Sequence, residues 1–522
     1  MKSLLSFKTF LISLCLGFLA TGCSDSLPEY AELDELNIRL DQQLYTCAIG
    51  DMLYIEPKIT GTVPMEELTF DWEVGHGEGY GDHTQFTSIA QMRNLSIECA
   101  LGPLFPAPGT YTLRIHARQP SSGREFYSPH FNLKITGQTG LMILYGNDGT
   151  SDIALIRDFT NQSNGSVIKD YFSSANGNHK IAGTGKFLTQ LQGGEPTFNN
   201  YHTVIAVTDE TSVGADYLTM SETPDGWNKL LFQGNFNRKQ PENITYGGVD
   251  PIYKYQEVYI IDGGEVYGRQ CSEFVLRPAI GTSSNSYINF YDIAPFVYIS
   301  PRGTYSVWLF DKKSRGFVGI TNIISVFMNG AADAGSVVKV FTPGGKFNPS
   351  RMRANMIYMA AGAEVGHLLA VMERDNGEKF VAELNTIPND PSGTAQAIYD
   401  FDYTTGEDIL GFDFSSHAPS RQCCYFYTRS RILRFSPDGK GGTLYPLPIN
   451  GNGRPGMQDN EEITRMETIQ FDGENLMLIA TWNGVEAKIL CYTYNLHTGD
   501  VDSLISSWTV PGKVSDIHLK HI

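Results

Sequence analysis

Four apolar hairpins recur in the C-terminal half of this chain at nearly constant spacing. Trp308-Leu309-Phe310-Asp311 turns through Gly316 into Phe317-Val318, and Leu369-Ala370-Val371-Met372 turns through Gly377 into Phe380-Val381. Ile432-Leu433-Arg434-Phe435 turns through Gly439 into Leu444-Tyr445, and Ile489-Leu490-Cys491-Tyr492 turns through Gly499 into Val501. The turn positions Gly316, Gly377, Gly439 and Gly499 thus stand almost equally far apart along the chain. A small β unit repeated evenly cannot bury its apolar faces alone and has to stack on its neighbours, as blades do around a propeller. Turns at Gly149, Gly214 and Gly263 extend the series less evenly toward the N-terminus. The expectation for residues 138–522 is therefore a β-propeller-like domain of about seven blades, with six or eight also open. A blade commonly takes about 40 to 50 residues, so these would carry long loops. Tandem β-sandwiches are the rival, and their repeats would be nearer ~100 residues.

Residues 37–137 follow a different pattern, strict alternation of apolar and polar residues in short runs, the period of half-buried strands. Leu53, Ile55, Pro57 and Ile59 share one face; so do Leu68, Phe70, Trp72 and Val74, then Leu95, Ile97 and Cys99. Tyr111, Leu113, Ile115 and Ala117 form a fourth set and Phe131, Leu133 and Ile135 a fifth. Such strands separated by Gly and Pro turns predict an immunoglobulin-like sandwich. Phe70-Asp71-Trp72-Glu73-Val74-Gly75-His76-Gly77, with the later Pro108-Gly109-Thr110-Tyr111-Thr112-Leu113, resembles the pattern of PKD domains. Gly75-His76-Gly77 stands where that pattern has Gly-Asp-Gly. Cys47 and Cys99 fall in this same region, and two readings of them stay open: a disulfide bridge, which an oxidising compartment permits, or buried, unbridged thiols.

Residues 1–22 place Lys2 and Lys8 ahead of an apolar run from Phe10 to Ala20, the layout of an export signal, and the run is short for a spanning helix. Leu19-Ala20-Thr21-Gly22-Cys23 resembles the lipobox of bacterial lipoproteins, which implies cleavage before Cys23 and a diacylglycerol on its thiol. Residues 23–36 then form an acidic tether with Asp25, Glu29, Glu32, Asp34, Glu35 and Pro28. An acidic residue soon after the lipidated cysteine resembles the surface-export signal of Bacteroidetes lipoproteins. The whole layout of lipobox, PKD-like domain and long β region is similar to the PKD-like surface lipoproteins of that group. That resemblance implies an outer-membrane location, a surface-exposed chain, and association with importers of the SusC/SusD type.

The chain carries 39 basic and 57 acidic residues, a net charge of -18, which excludes nucleic acid as a natural partner. With 53 Gly, 25 Pro, 27 Tyr and 29 Phe but 18% charged residues, the composition is that of a turn-rich all-β protein. No segment after the leader offers a long apolar span, so the lipid on Cys23 is the expected membrane link. None of the six cysteines beyond it has zinc or redox spacing, there is no H-E-x-x-H and no G-x-S-x-G, and no metal or cofactor is expected. Gly183-Thr184-Gly185-Lys186 lacks the first glycine and final Ser/Thr of a phosphate loop and is read as a turn. Asn147-Asp148-Gly149 is read likewise, and no catalytic residue is assigned. Carboxylates that a hydrolase could use are Asp209, Glu210, Asp311, Glu373, Asp375 and Asp402, most of them turn residues.

The longest interruption of the repeat, Ser221 to Gln256, carries Trp227, Phe236, Tyr246 and Tyr253 with Arg238 among them. Long loops in a compact domain are uncommon unless functional, and these residues are the candidate ligand contacts; the competing reading has the rings covering blade edges. The expected function is a non-catalytic, lipid-anchored binding or docking protein, capturing an oligosaccharide or peptide beside an outer-membrane importer. A surface glycoside hydrolase or lyase on the same scaffold is the alternative.

Overall fold

The computed structural model describes residues 35–76, 85–191, 203–223, 240–249, 256–270, 291–300, 305–321, 338–339, 345–362, 364–387, 393–401, 403, 406–415, 423–436, 443–446 and 456–520. Residues 1–34, with Cys23, lie outside them, as do Gly77, Gly439 and residues 224–239 and 250–255. The chain divides into two units between Thr136 and Gly137.

The first unit is a β-sandwich. One sheet orders its strands as Leu44–Ala48, Phe131–Thr136, Gly109–Gln119, Thr69–His76 and Gln85–Ala90, with Arg124–Tyr127 also pairing with Gly109–Gln119. Two small antiparallel pairs, Leu36–Arg39 with Lys58–Gly61 and Met52–Ile55 with Leu95–Glu98, complete it. All five alternating runs face as their periodicity requires: Leu53, Ile55, Trp72, Val74, Leu95, Cys99, Leu113, Ile115, Ala117, Leu133 and Ile135 share one core. Trp72 is fully buried there, its ring edge-on to Phe131 at 6.0 Å. Its indole N–H donates to the carbonyls of Met92 and Arg93 at 3.0 and 3.2 Å, which satisfies the one polar atom such a ring takes into a core. Cys47 and Cys99 lie in this core as buried, unbridged thiols. Their mutual hydrogen bond, with burial, pushes Cys99 well above the ordinary thiol range.

The second unit holds seven antiparallel sheets among the described residues. The first contains Ser166–Ile168, Thr150–Arg157, Gly140–Asn147 and Lys513–Lys520, so that a strand from residue 513 onward pairs with the one that opens the unit. The second runs Gly185–Leu191, Thr203–Thr208, Ser212–Asp216, and the third Asn243–Val249, Gln256–Asp262, Glu265–Gln270. The fourth has Tyr298–Ile299, Tyr305–Asp311, Gly316–Thr321 and Val338–Lys339; the fifth has Ala354–Ala361, His367–Arg374, Lys379–Asn385 and Ala395–Phe401. Gly411–Ser415, Cys423–Tyr427, Ile432–Ser436 and Thr443–Pro446 make the sixth, and Glu462–Phe471, Glu474–Trp482, Ala487–Tyr494 and Val501–Val510 the seventh.

Central strands in the first, fourth, fifth, sixth and seventh sheets are apolar on both faces, and each face packs on a different neighbour. Val307 and Leu309 meet Tyr259 and Ile261 of the third sheet, while Trp308 and Phe310 meet Leu368 and Ala370 of the fifth. Leu369 and Val371 turn the other way, onto Phe426 and Leu433 of the sixth. Tyr425 and Tyr427 pack on Ile479 and Leu490 of the seventh, whose Leu478 and Ala480 pack on Leu141 and Ile143 of the first. Met142 and Leu144 then meet Leu188 and Val204 of the second.

The four evenly spaced hairpins are all present, yet they are not equivalent. Those at Gly316 and Gly377 join the second and third strands of their sheets, whereas those at Gly439 and Gly499 join the third and fourth. In the sixth and seventh sheets the matching turns fall at 428–431 and 483–486. Gly214 sits inside a strand paired with Ile205, not in a turn. Gly149 is a turn glycine: Asp148 and Gly149 have φ of 53° and 76°, the double left-handed geometry of a tight hairpin.

Replacing Trp72 with Ala is expected to lower the stability of the first unit by about 3 to 5 kcal/mol, measured by denaturant unfolding; a change near that of a surface substitution would contradict its burial. Oxidation of Cys47 and Cys99 would close a loop of about 50 residues and add roughly 4 kcal/mol. The thiols as placed predict a non-reduced mass without the loss of two hydrogens; joined peptides of Cys47 and Cys99 would show the bridge instead.

Candidate functional site

The first strand of one sheet after another borders a cavity of about 860 Å³ in the second unit. Phe187 and Leu188 come from the second sheet and Ile244 from the third; Tyr358, Phe412 and Arg465 come from the first strands of the fifth, sixth and seventh. Phe296 enters from the segment just before Tyr298–Ile299. Most of these strands bring their N-terminal halves to the cavity, so the loops entering those sheets lie near it.

One wall is aromatic. Tyr358 stacks on Phe412 with centroids 5.6 Å apart and planes 24° from parallel, and stands edge-on to Phe414 at 5.0 Å and Phe296 at 6.0 Å. Gly411, beside Phe412, is paired with Tyr427, whose ring would sit 2.6 to 2.8 Å from a β-carbon there; only glycine lets the two strands carry that ring.

The floor is polar. Arg465 and Glu467 alternate onto one face of Glu462–Phe471 as any i, i+2 pair does. Nη2 of Arg465 donates to Oε2 of Glu467 at 2.9 Å and lies 3.0 Å from Oδ1 of Asp516. Asp516 belongs to Lys513–Lys520, and its other oxygen accepts the backbone N–H of Leu188 at 2.8 Å, so this carboxylate ties three sheets together. Asp413 does similar work by accepting the N–H of Thr468. Nε of Arg465 is enclosed and finds no acceptor among the described residues.

Burial, opposed by Arg465 and reinforced by Asp413 and Asp516, pushes Glu467 up to about 8. Arg465 moves the other way from what burial demands, because Asp516 and Glu467 hold it charged. Tyr358 is raised by burial, with Asp413 and Glu467 adding to it.

Of the residues expected from sequence, Trp227, Phe236, Arg238 and Tyr253 lie outside the described residues, and Tyr246 is placed only as a backbone position in Asn243–Val249, paired with Val258. Glu242, just before that strand, lines the cavity. Among the carboxylates, Glu373 borders the cavity and pairs with Lys379 at 3.4 Å. Asp311 is buried and accepts the N–H groups of Asp292, Lys313 and Ser314, which makes it a turn residue. Asp209 likewise accepts Thr184 N–H, and Asp375 pairs with Arg315 at the surface. Asp402 lies outside the described residues. Arg465, Glu467, Asp413 and Asp516 were not singled out from sequence, although opposite charges two apart in Thr464-Arg465-Met466-Glu467 were a readable signal.

No protein-family model matches the chain, and no curated protein matches it. Among solved structures it is similar to a putative 6-phosphogluconolactonase from Bacteroides fragilis, at 14% identity and a TM-score of 0.42, over 73% of this chain and 98% of that one. It is also similar to a DUF4784 family protein from Bacteroides caccae, at 10% identity and a TM-score of 0.27, over 91% and 98% of the two chains. Both likenesses are remote.

Because the folded state holds Glu467 protonated to a higher pH than an unfolded chain would, its contribution is fully present below the usual carboxyl range and is lost as pH rises toward about 8. Glu467→Gln keeps the neutral shape at every pH. Thermal melts should show the variant gaining on the parent as pH rises from about 4 to about 9; a difference that stays constant with pH would mean that Glu467 ionises freely in the fold.

Proposed function

We propose that the second unit is a seven-bladed propeller and that the chain is a lipid-anchored surface protein which binds, without chemistry, a ligand in the cavity its inner strands border. The observation that carries this reading is the convergence of first strands from successive sheets on one aromatic-walled cavity of about 860 Å³, a size suited to a small molecule or the end of an oligomer. Packing of the seventh sheet on the first supports the propeller geometry. The anchor rests on the resemblance of Leu19 to Cys23 to a lipobox, and the accessory role beside a SusC/SusD-type importer rests on the resemblance of the whole layout. Capture of an oligosaccharide or peptide for such an importer fits a tethered binding module.

The hydrolase reading has one observation in its favour, a carboxyl at Glu467 that keeps its proton near neutrality, as a general acid must. The neighbouring carboxylates count against it. Asp516 lies 3.0 Å from Arg465 and accepts Leu188 N–H, and Asp413 accepts Thr468 N–H, so both carboxylates at the floor serve as joints between sheets.

Cells carrying Cys23→Ser should release the chain from the membrane fraction, and the wild-type chain, extracted in mild detergent, should bring down an importer pair. Membrane retention of the variant after a carbonate wash would end the lipoprotein reading; wild-type protein that comes down alone would end the accessory role.

A further inference from the structure

The fifth sheet carries a histidine held between two carboxylates. His367 opens the second strand, His367–Arg374, at the end remote from Glu373, and pairs with Asn385 of the third. Its ring is largely enclosed. Nδ1 lies 2.8 Å from Oε1 of Glu383 on the third strand, and the other oxygen of Glu383 accepts the O–H of Tyr399 from the fourth strand at 2.5 Å. Nε2 lies 3.4 Å from Oε2 of Glu364. Glu364 belongs to the turn that joins the first strand to the second, and its side chain is 77% exposed against 21% for Glu383.

The foot of this turn is fastened without charge. Thr386 donates both its N–H and its O–H to the carbonyl of Gly366 at 2.7 Å, and its hydroxyl lies 2.8 Å from that of Ser300. Gly362 N–H donates to the carbonyl of His367 at 2.7 Å. The crown, Glu364 and Val365, has less to hold it: the carbonyl of Glu364 accepts His367 N–H at 2.9 Å, and Val365 is 74% exposed.

An imidazolium has two N–H groups, one for each carboxylate, whereas a neutral imidazole has one. Glu383 is the stronger claimant on that single N–H, since it is nearer, more enclosed and oriented by Tyr399. A neutral ring therefore keeps its hydrogen on Nδ1, and Nε2 turns a lone pair toward the carboxylate of Glu364. Two acceptors facing each other have no proton to share.

We propose that His367 is a pH-operated clasp on this turn: as an imidazolium it bridges Glu364 to Glu383 and holds the crown down, and on losing the Nε2 proton it releases Glu364 and Val365 while the foot stays in place.

The charges around the ring set where the clasp opens. The hydrogen bond to Glu383 raises His367 above the ordinary imidazole range, burial opposes the rise, and Glu364 adds to it. Tyr399 and Lys346 act through Glu383: with His367 first, they hold its carboxyl below the usual range against burial. Because the fold raises the imidazole, the contribution of the clasp is fully present below about pH 6.5 and is lost as pH rises through the raised value.

Hydrogen exchange of the full chain between pH 6 and pH 9, corrected for the intrinsic rate at each pH, reads the turn directly. Protection of the His367 amide, which is bonded to the crown, is expected to fall by about two- to fivefold over that range, the size of one partly exposed ion pair. The Thr386 amide, bonded to the foot, should keep its protection. Glu364→Gln, a surface change that leaves the fold intact, should abolish the pH-dependent fall, and 1 M salt should shrink it in the parent. In ring NMR, the His367 midpoint should lie above about 6.5 and drop further in Glu383→Gln than in Glu364→Gln. A flat exchange profile in the parent, or a fall undiminished in Glu364→Gln, would overturn the clasp. Equal loss of protection at His367 and Thr386 would overturn it as well, because the whole end of the sheet would then be opening.

Discussion

The second unit depends on one constraint: its central strands are apolar on both faces, and a sheet with two apolar faces needs two neighbours. An exposed run such as Leu368 to Met372 would leave one set of side chains in water at about 25 cal/mol per Å² of apolar surface. The chain meets the requirement by sending odd and even positions of a strand in opposite directions, Leu368 and Ala370 toward the fourth sheet and Leu369 and Val371 toward the sixth. Each such sheet is thereby committed to both of its flanking sheets and is no domain by itself. The first unit follows the opposite rule. Its strands are apolar on one face, and a single core around Trp72 satisfies them.

That contrast explains what could be read from the sequence. Strict alternation fixed the facing of the five runs in the sandwich, because period two assigns each residue to one side. In the sheets of the second unit both sides are apolar, so the sequence shows only a run, a turn and another run. A hairpin between second and third strands then looks the same as one between third and fourth, which is how Gly377 and Gly439 came to resemble repeats of one position. The near-constant spacing of the turn glycines was partly a coincidence of loop length, since the matched turns in the fifth, sixth and seventh sheets lie closer together, at 375–378, 428–431 and 483–486.

The cavity was less legible than the fold for a related reason. Its residues come from strands far apart in the chain, and nothing local marks a strand as the first of its sheet. Asp413 looks like an ordinary polar position between Phe412 and Phe414, and Asp516 like one more acidic residue near a terminus. Only when Lys513–Lys520 pairs with Gly140–Asn147 does Asp516 arrive beside Arg465 and Leu188. Trp227, Phe236 and Arg238 stand out by composition, and the polar floor has no compositional signature.

The pairing of Lys513–Lys520 with Gly140–Asn147 also sets a timetable. Contacts between strands so distant in sequence form late, because the intervening chain has to be brought together before they give anything back. A chain made from its N-terminus exposes residues 140–147 long before residues 513–520 emerge. Through that interval the strand Gly140–Asn147, apolar on both faces, lacks a partner along one edge and is open to any other extended segment nearby. The yield of folded protein should therefore be more sensitive to the fate of that one strand than to any surface loop.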